Sequence, residues 1–311
     1  AESVVAPPAA SVVITTRNRK QLLRQPLLSA LHQSVPVEVI VIDDGSTDGT
    51  AEFVRRKFPQ VRLVRHEQSR GYIVRRSEAA SLASAAVIFS IDDDAMFSSP
   101  RVVEDTLREF DHPRIGAVAI PYIDVRKNLT IRQRSPSAKG RFVTSTYIGT
   151  AHAVRRDAFL QLGGYCDDLV HQGEEIDFCL RLLNHGWVVR LGQAPPIYHY
   201  ESPQRDFSRM DFYGRRNDVL FAWHNVPAAM LPVHLAATTA NGIVAGVTTG
   251  HPLRMLRGTV AGYAACARHF RDRHPVSPDT YWLHRRLKKR GPAPLEEIEP
   301  LLPPLPSDPR V

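Results

Sequence analysis

Short apolar runs and helical repeats alternate along the first two thirds of the chain. Residues 11–15, Ser-Val-Val-Ile-Thr, read as a strand, and Leu22, Leu23, Leu27, Leu28 and Leu31 then recur at helical spacing. Pro26 conflicts with a helix interior, so it belongs in the first turn or at a kink. Further strands are expected at 37–42, 61–64, 87–91 and 115–120, with helices around 50–58, 71–83 and 102–110. Strands that are apolar throughout are buried on both faces. Their alternation with helices predicts an α/β fold built on a mostly parallel sheet, with helices on both sides. Such sheets bind ligands beyond the carboxyl ends of their strands.

The pattern changes after residue 121. Residues 127–140 are polar and basic and read as a loop or a β-excursion, and 156–162 read as a short helix stopped by Gly163 and Gly164. A clearer helix follows, its apolar face marked by Ile176, Cys179, Leu180 and Leu183 and its end by Gly186. Strands at 187–190 and 197–200 close the α/β part. From about Arg209 the chain turns helical. Residues 226–250 are apolar, but Pro227, Pro232, His234 and Asn241 make them a poor spanning helix, so a packed or membrane-surface helix is expected. These shifts divide the chain into a loose terminus (1–10), an α/β domain (11–205), a basic helical extension (206–290) and an extended Pro/Glu-rich tail (291–311).

Charge sharpens the picture of the extension. Between residues 251 and 290 there are ten Lys or Arg against Asp272 and Asp279, so this segment carries the whole net charge of +8. It suits an anionic membrane surface. It has no motif that reads nucleic acid, and an acidic cluster elsewhere would repel phosphate without a metal, so a nucleic-acid partner is not expected. Three widely spaced cysteines, at 166, 179 and 266, form neither a disulfide framework nor a zinc pattern, which fits a cytoplasmic location.

Candidate chemistry sits at the strand ends. Asp92, Asp93 and Asp94 follow an apolar strand directly. Carboxylates this close repel unless something positive sits among them. If the strand continued, Asp92 and Asp94 would share a face and Asp93 the other. Two carboxylates there suit Mg2+ or Mn2+, whose shell phosphate oxygens and water complete. Asp43 and Asp44 end the second strand, and Glu174, Glu175 and Asp177 crowd the first turn of a helix, where the helix dipole also favours negative charge.

Together these pieces resemble a family-2 glycosyltransferase of the GT-A fold. Residues 11–19 resemble the opening strand and loop, 39–48 (Val-Ile-Val-Ile-Asp-Asp-Gly-Ser-Thr-Asp) the second strand and its acidic turn, 91–94 the Asp-x-Asp signature, and 173–181 the acidic helix that carries the base. The resemblance covers about residues 11–200 and implies transfer of a sugar from a nucleotide diphosphate sugar to an acceptor hydroxyl, with inversion. It implies that Thr15, Thr16 and Arg17, with Asp43 or Asp44, bind the nucleobase. Arg76 would lie near base or diphosphate. Asp92 and Asp93 would approach the donor, and Asp94, Asp92 and His199 the metal. Glu175 would be the general base. The family's Ala-Arg-Asn is here Arg75-Arg76-Ser77, and its Glu-Asp pair is Glu174-Glu175. The acceptor, whether glycan, lipid-linked or small molecule, has no readable pattern. A haloacid-dehalogenase-like phosphatase also has a strand ending in Asp-x-Asp, but on its first strand. A non-catalytic sugar-nucleotide binder would not need Asp94 and Glu175.

Overall fold

A computed structural model describes residues 7–201 and 206–306. Residues 1–6 of the expected loose terminus, 202–205 at the expected domain boundary, and 307–311 of the tail lie outside the described residues. The first half follows the alternation of the sequence: β1 (Ala10–Thr16), α1 (Arg24–Leu31), β2 (Val37–Asp44), α2 (Thr50–Lys57), β3 (Arg62–His66), α3 (Tyr72–Leu82) and β4 (Val87–Ser90). Pro26 stands in the first turn of α1, where its missing N–H costs nothing. Strands β3, β2, β1 and β4 are hydrogen-bonded in that order, all parallel. Val12, Ile14, Val39 and Val41 face one core and Val13, Ile40 and Ile42 the other, so both faces of the sheet are covered.

The chain continues through β5 (Ala95–Phe97), α4 (Val102–Arg108), β6 (Ile115–Ala119), β7 (Tyr122–Asp124), β8 (Ile131–Arg132), β9 (Phe142–Thr144), β10 (His152–Arg155), α5 (Arg156–Gln161), α6 (Glu174–Asn184), β11 (Val188–Leu191) and β12 (Ile197–His199). After these come α7 (Phe207–Asn225), α8 (Leu231–Thr248), α9 (Pro252–Arg268), α10 (Pro278–Arg290), β13 (Ala293–Pro294) and α11 (Leu295–Ile298). The main sheet has the order β13-β9-β11-β6-β10-β4-β1-β2-β3. Strand β10 runs antiparallel to both β4 and β6, so strand direction changes just beyond the acidic triplet. A second sheet, β5-β12-β7-β8, lies after the triplet and brings His199 opposite Ala95 and Asp124. The polar stretch 127–140 contributes only β8 to it.

Helices α7 to α9 pack closely because α9 presents Gly258 and Gly262, four residues apart, to α7. A Cβ on Gly262 would lie 2.7 Å from Val219 Cβ. Helix α8 buries only Gly242 and Gly246. Among the described residues no helix is long and apolar enough to cross a membrane. The tail differs from the extended segment expected from its composition. Ala293–Pro294 pair with β9, and Leu295 and Ile298 are buried with Leu283, Leu287, Ile115 and Val143. A few apolar side chains in a polar stretch are enough to dock it, because each gains the full benefit of burial.

Candidate functional site

Strand β4 ends at Ser90, two residues before the triplet, and the chain turns there, with Ala95 N–H bonding the Asp92 carbonyl at 3.1 Å. The turn, not a continued strand, sets the carboxylates apart. Asp92, Asp94 and His199 converge, their ligand atoms all within 4.8 Å of one another. Asp93 turns to β1, where Thr16 Oγ1 donates to it at 2.8 Å. Arg19 reaches Asp93 at 3.1 Å and Asp94 at 2.9 Å, and Arg76 pairs with Asp92. These two guanidiniums offset the repulsion that three adjacent carboxylates create.

The local electrostatics follow from burial and these partners. Burial pushes Asp93 up to about 7, against the pull of Arg19. Burial also acts to raise Asp94, but bonds from His199 and Arg19 outweigh it and hold the group below its ordinary range. Burial acts to lower His199, and the Asp94 bond, with Asp92 and Asp124, raises it instead. His199 Nε2 stands 3.3 Å from Asp94, and its Nδ1 3.9 Å from Asp124, which orients the ring. Two carboxylates and an imidazole are a donor set that fits a divalent cation such as Mn2+ or Mg2+.

The acidic turn after β2 divides its two Asp residues. Asp44 accepts four hydrogen bonds from its own chain: Ser69 Oγ at 2.6 Å, the N–H of Arg70 and of Gly71 at 2.9 Å each, and Arg75 Nε at 2.7 Å. That carboxylate ties the loop before α3 to the sheet, which leaves it no spare acceptor for a base. Asp43 spends Oδ1 on Ser46 N–H at 2.9 Å, while its buried Oδ2 has no partner. Thr16 lies beside Asp43 in the β1–β2 register, Thr15 is half-buried one residue earlier, and Arg17 is exposed just beyond. Of the two arginines that the sequence left open, Arg75 is spent on Asp44, Glu78 and the Gln68 carbonyl. Arg76 is the one that turns toward the acidic triplet.

Arg76 also joins this wall to α6. Its guanidinium bonds Asp92 on one side and Glu174 Oε1 at 3.2 Å on the other, and it is only 6% exposed. Glu174 is fully buried and takes a further bond from Tyr72 OH at 3.3 Å. Glu175 is half-buried and lies against Gly149, where any Cβ would collide with its carboxylate and stand 2.8 Å from Arg76 Nη1. Burial raises both glutamates, and Arg76 opposes the rise. Glu174 is bonded to the Arg76 guanidinium, and the Glu175 carboxylate lies beside the same guanidinium at Gly149. Asp177, the third acid of this turn, is committed elsewhere: it binds Arg181 at 2.8 Å and Asn225 at 2.7 Å, joining α6 to α7.

Several participants have no signal of their own in the sequence. Arg19, Asp124, Gly149 and Tyr72 reach the site from four separate elements. Asn217 on α7 donates to the carbonyls of Leu169, His171 and Gln172 at 2.6 to 2.8 Å and so holds the loop that leads into α6. Gly173 enters that helix at φ +91°, a conformation that favours glycine. The one available clue is the need of an acidic triplet for cations nearby, and a chain this basic offers many.

Residues 11–163 match the family model of glycosyl transferase family 2. Succinoglycan biosynthesis protein ExoU of Rhizobium meliloti is 27% identical over 205 residues, covering 59% of this chain and 59% of that protein. The pre-mycofactocin glycosyltransferase of Mycobacterium tuberculosis is 27% identical over 259 residues, covering 77% of this chain and 53% of that one. The chain therefore spans between about half and three fifths of the length of these relatives. Among solved structures, mannosyltransferase PcManGT from Pyrobaculum calidifontis in complex with GDP-Man and Mn2+ superposes with a TM-score of 0.57 at 20% identity, over 94% of this chain and 82% of that one. S. aureus TarS 1–349 in complex with UDP-GlcNAc gives 0.58 at 17% identity, over 80% and 79%. At these identities the likeness shows a shared fold.

Proposed function

The chain belongs to glycosyl transferase family 2, and from that premise we propose that it moves a sugar from a nucleotide diphosphate sugar to an acceptor hydroxyl in a metal-dependent, inverting single displacement. The observation that carries this reading is the Arg76 guanidinium, paired with Asp92 on one side and with Glu174 on the other, with the candidate base Glu175 beside it. Family membership also sets the phosphatase reading aside.

Asp92, Asp94 and His199 would hold the divalent cation, which when bound supplies a Lewis acid for the diphosphate leaving group. Thr15, Thr16, Arg17 and Asp43 line the nucleobase end, Asp43 through its unpartnered buried oxygen. Asp93 fixes Thr16 and Arg19 rather than meeting the donor itself. Glu175 takes the acceptor proton as the acceptor oxygen bonds the anomeric carbon and the bond to diphosphate breaks on the opposite face. Glu174 accepts from Arg76 and Tyr72 and keeps Arg76 in place between the two walls.

The test is binding and stereochemistry together. Asp94→Asn keeps the side-chain shape and removes the charge that a hard cation needs. Calorimetry of nucleoside diphosphates with Mn2+ should show a large loss of affinity in this variant. Metal-dependent binding that survives unchanged would remove Asp94 from the ligand set, and a product that keeps the donor's anomeric configuration would end the single-displacement scheme.

We further propose that the enzyme works at an anionic membrane surface. Leu253, Leu256, Val260 and Tyr263 form an exposed stripe at helical spacing along α9, and Ile243, Val244 and Val247 are exposed on the antiparallel neighbour α8. Exposed Arg257 stands within the α9 stripe.

A further inference from the structure

A groove of about 1380 Å³ runs between α8 and α10, with α6 and α7 as its floor. It exceeds the usual volume of a small-molecule pocket. Its wall near α6 is apolar: Ile176, Leu180, Phe221, Met230 and Val233. Its other wall is the basic end of α10, with Arg285, Arg286, Lys288, Lys289 and Arg290. Among the described residues none of these five cations is within ion-pair distance of an acid; the one acid in the groove, Asp218, pairs with Arg215 at 2.7 Å and feels Lys288 only at longer range. The groove is also placed with respect to chemistry. Gln172 and Gly173 line it, and they directly precede Glu174 and Glu175.

From this juxtaposition we infer that the groove seats the acceptor, and that the acceptor is an anionic amphiphile, an apolar chain joined to a phosphate ester that bears the accepting hydroxyl group. The apolar wall answers the chain, since removing hydrocarbon from water is favourable in proportion to the area covered. The unpaired cations answer the phosphate. The boundary at Gly173 delivers that hydroxyl group to the base. The inference rests on the proposed sugar transfer and deepens it, because it names the class of molecule that receives the sugar.

The probe is dodecyl phosphate, titrated by calorimetry below its critical micelle concentration, in parallel with nucleoside diphosphates plus Mn2+. One molecule per chain should bind. Arg286→Glu with Lys289→Glu, both on exposed positions, should weaken it tenfold or more, as should Val233→Asp alone at the apolar wall. Both variants should bind nucleoside diphosphate as the unaltered protein does. Four results would overturn the inference: no saturable binding, binding that neither variant weakens, inorganic phosphate binding as tightly, or affinity for phosphatidylglycerol vesicles without affinity for the monomeric probe. If nucleoside diphosphates bind and dodecyl phosphate does not, only the groove assignment falls. If no nucleoside diphosphate binds, the donor reading falls, whatever the groove does.

Discussion

Glu175 and Glu174 are neighbours of the same type, and their surroundings differ. Glu174 is enclosed by Arg76 and Tyr72, while Glu175 is half-exposed beside the side-chain-free Gly149. Glu175→Gln should lower kcat by about 10² or more, the usual scale for a positioned base, with donor affinity retained. Glu174→Gln should do much less, since the amide oxygen can still accept from Arg76 or Tyr72. The pH profile has a definite sign. A base must be ionised to accept a proton, and burial raises Glu175, so activity should fall on acidification through a limb displaced above the ordinary carboxylate range. Rates measured from pH 4 to 9 on a verified donor and acceptor check this, and a wild-type rate in Glu175→Gln would place the base elsewhere. The motif made Glu175 a candidate; the contrast with Glu174 became visible only once Arg76 and Tyr72 were in place around them.

At the scale of elements, the site depends on segments that position it without touching the reacting atoms. The turn into α6 is held by Asn217, whose amide serves three carbonyls at once. Asn217→Ala should cost about 2–3 kcal/mol, since each lost hydrogen bond is worth about 1 kcal/mol net and the carbonyls are left short of donors. Urea unfolding midpoints would register the loss; a change within experimental scatter would mean that the loop holds its shape by other means. Asp44 is a comparable anchor at the end of β2. In sequence it is indistinguishable from Asp43. In the fold it closes the loop 69–71, and Asp43 keeps the unpartnered oxygen. Likewise His199 reaches Asp94 because β12 pairs with β5 in a register that sets His199 opposite Ala95.

At the scale of the molecule, the helical extension and tail are fastened to the sheet. Ending the chain after Arg290 would remove β13, Leu295 and Ile298 from the core that they share with Leu283 and Leu287. Burying two such side chains is worth about 1.5–3 kcal/mol each, so the truncated chain should be several kcal/mol less stable. A thermal midpoint unchanged by the truncation would show that the tail adds nothing. The outer face of α8 and α9 is the other large-scale feature. Each basic residue near an anionic bilayer contributes about 1 kcal/mol, so co-sedimentation with phosphatidylglycerol vesicles should be strong at low salt and weaken at high salt. Absence of binding at low salt would leave α8 and α9 as a solvated appendage.

The sequence by itself determined the alternation of strands and helices from β1 to β4, the acidic ends of β2 and β4, and the acidic start of α6, because periodicity, turn chemistry and short motifs are local properties of the chain. It could also name Arg76, Asp94, His199 and Glu175 as candidates, since each belongs to a contiguous motif. Only the tertiary structure showed how each neighbour is held: Asp44 by four bonds and Asp43 by one, Arg75 on Asp44 and Arg76 on Asp92 and Glu174, Glu174 buried and Glu175 partly exposed. It alone brought Arg19, Asp124 and Gly149 to the same place, and it set the cations of α10 across a groove from the apolar wall of α6 to α8. The physical reason is the same in each case. Whether a carboxylate or a guanidinium is a spare group or a structural tie depends on what surrounds it, and those partners come from parts of the chain whose spacing in sequence says nothing about their distance in space.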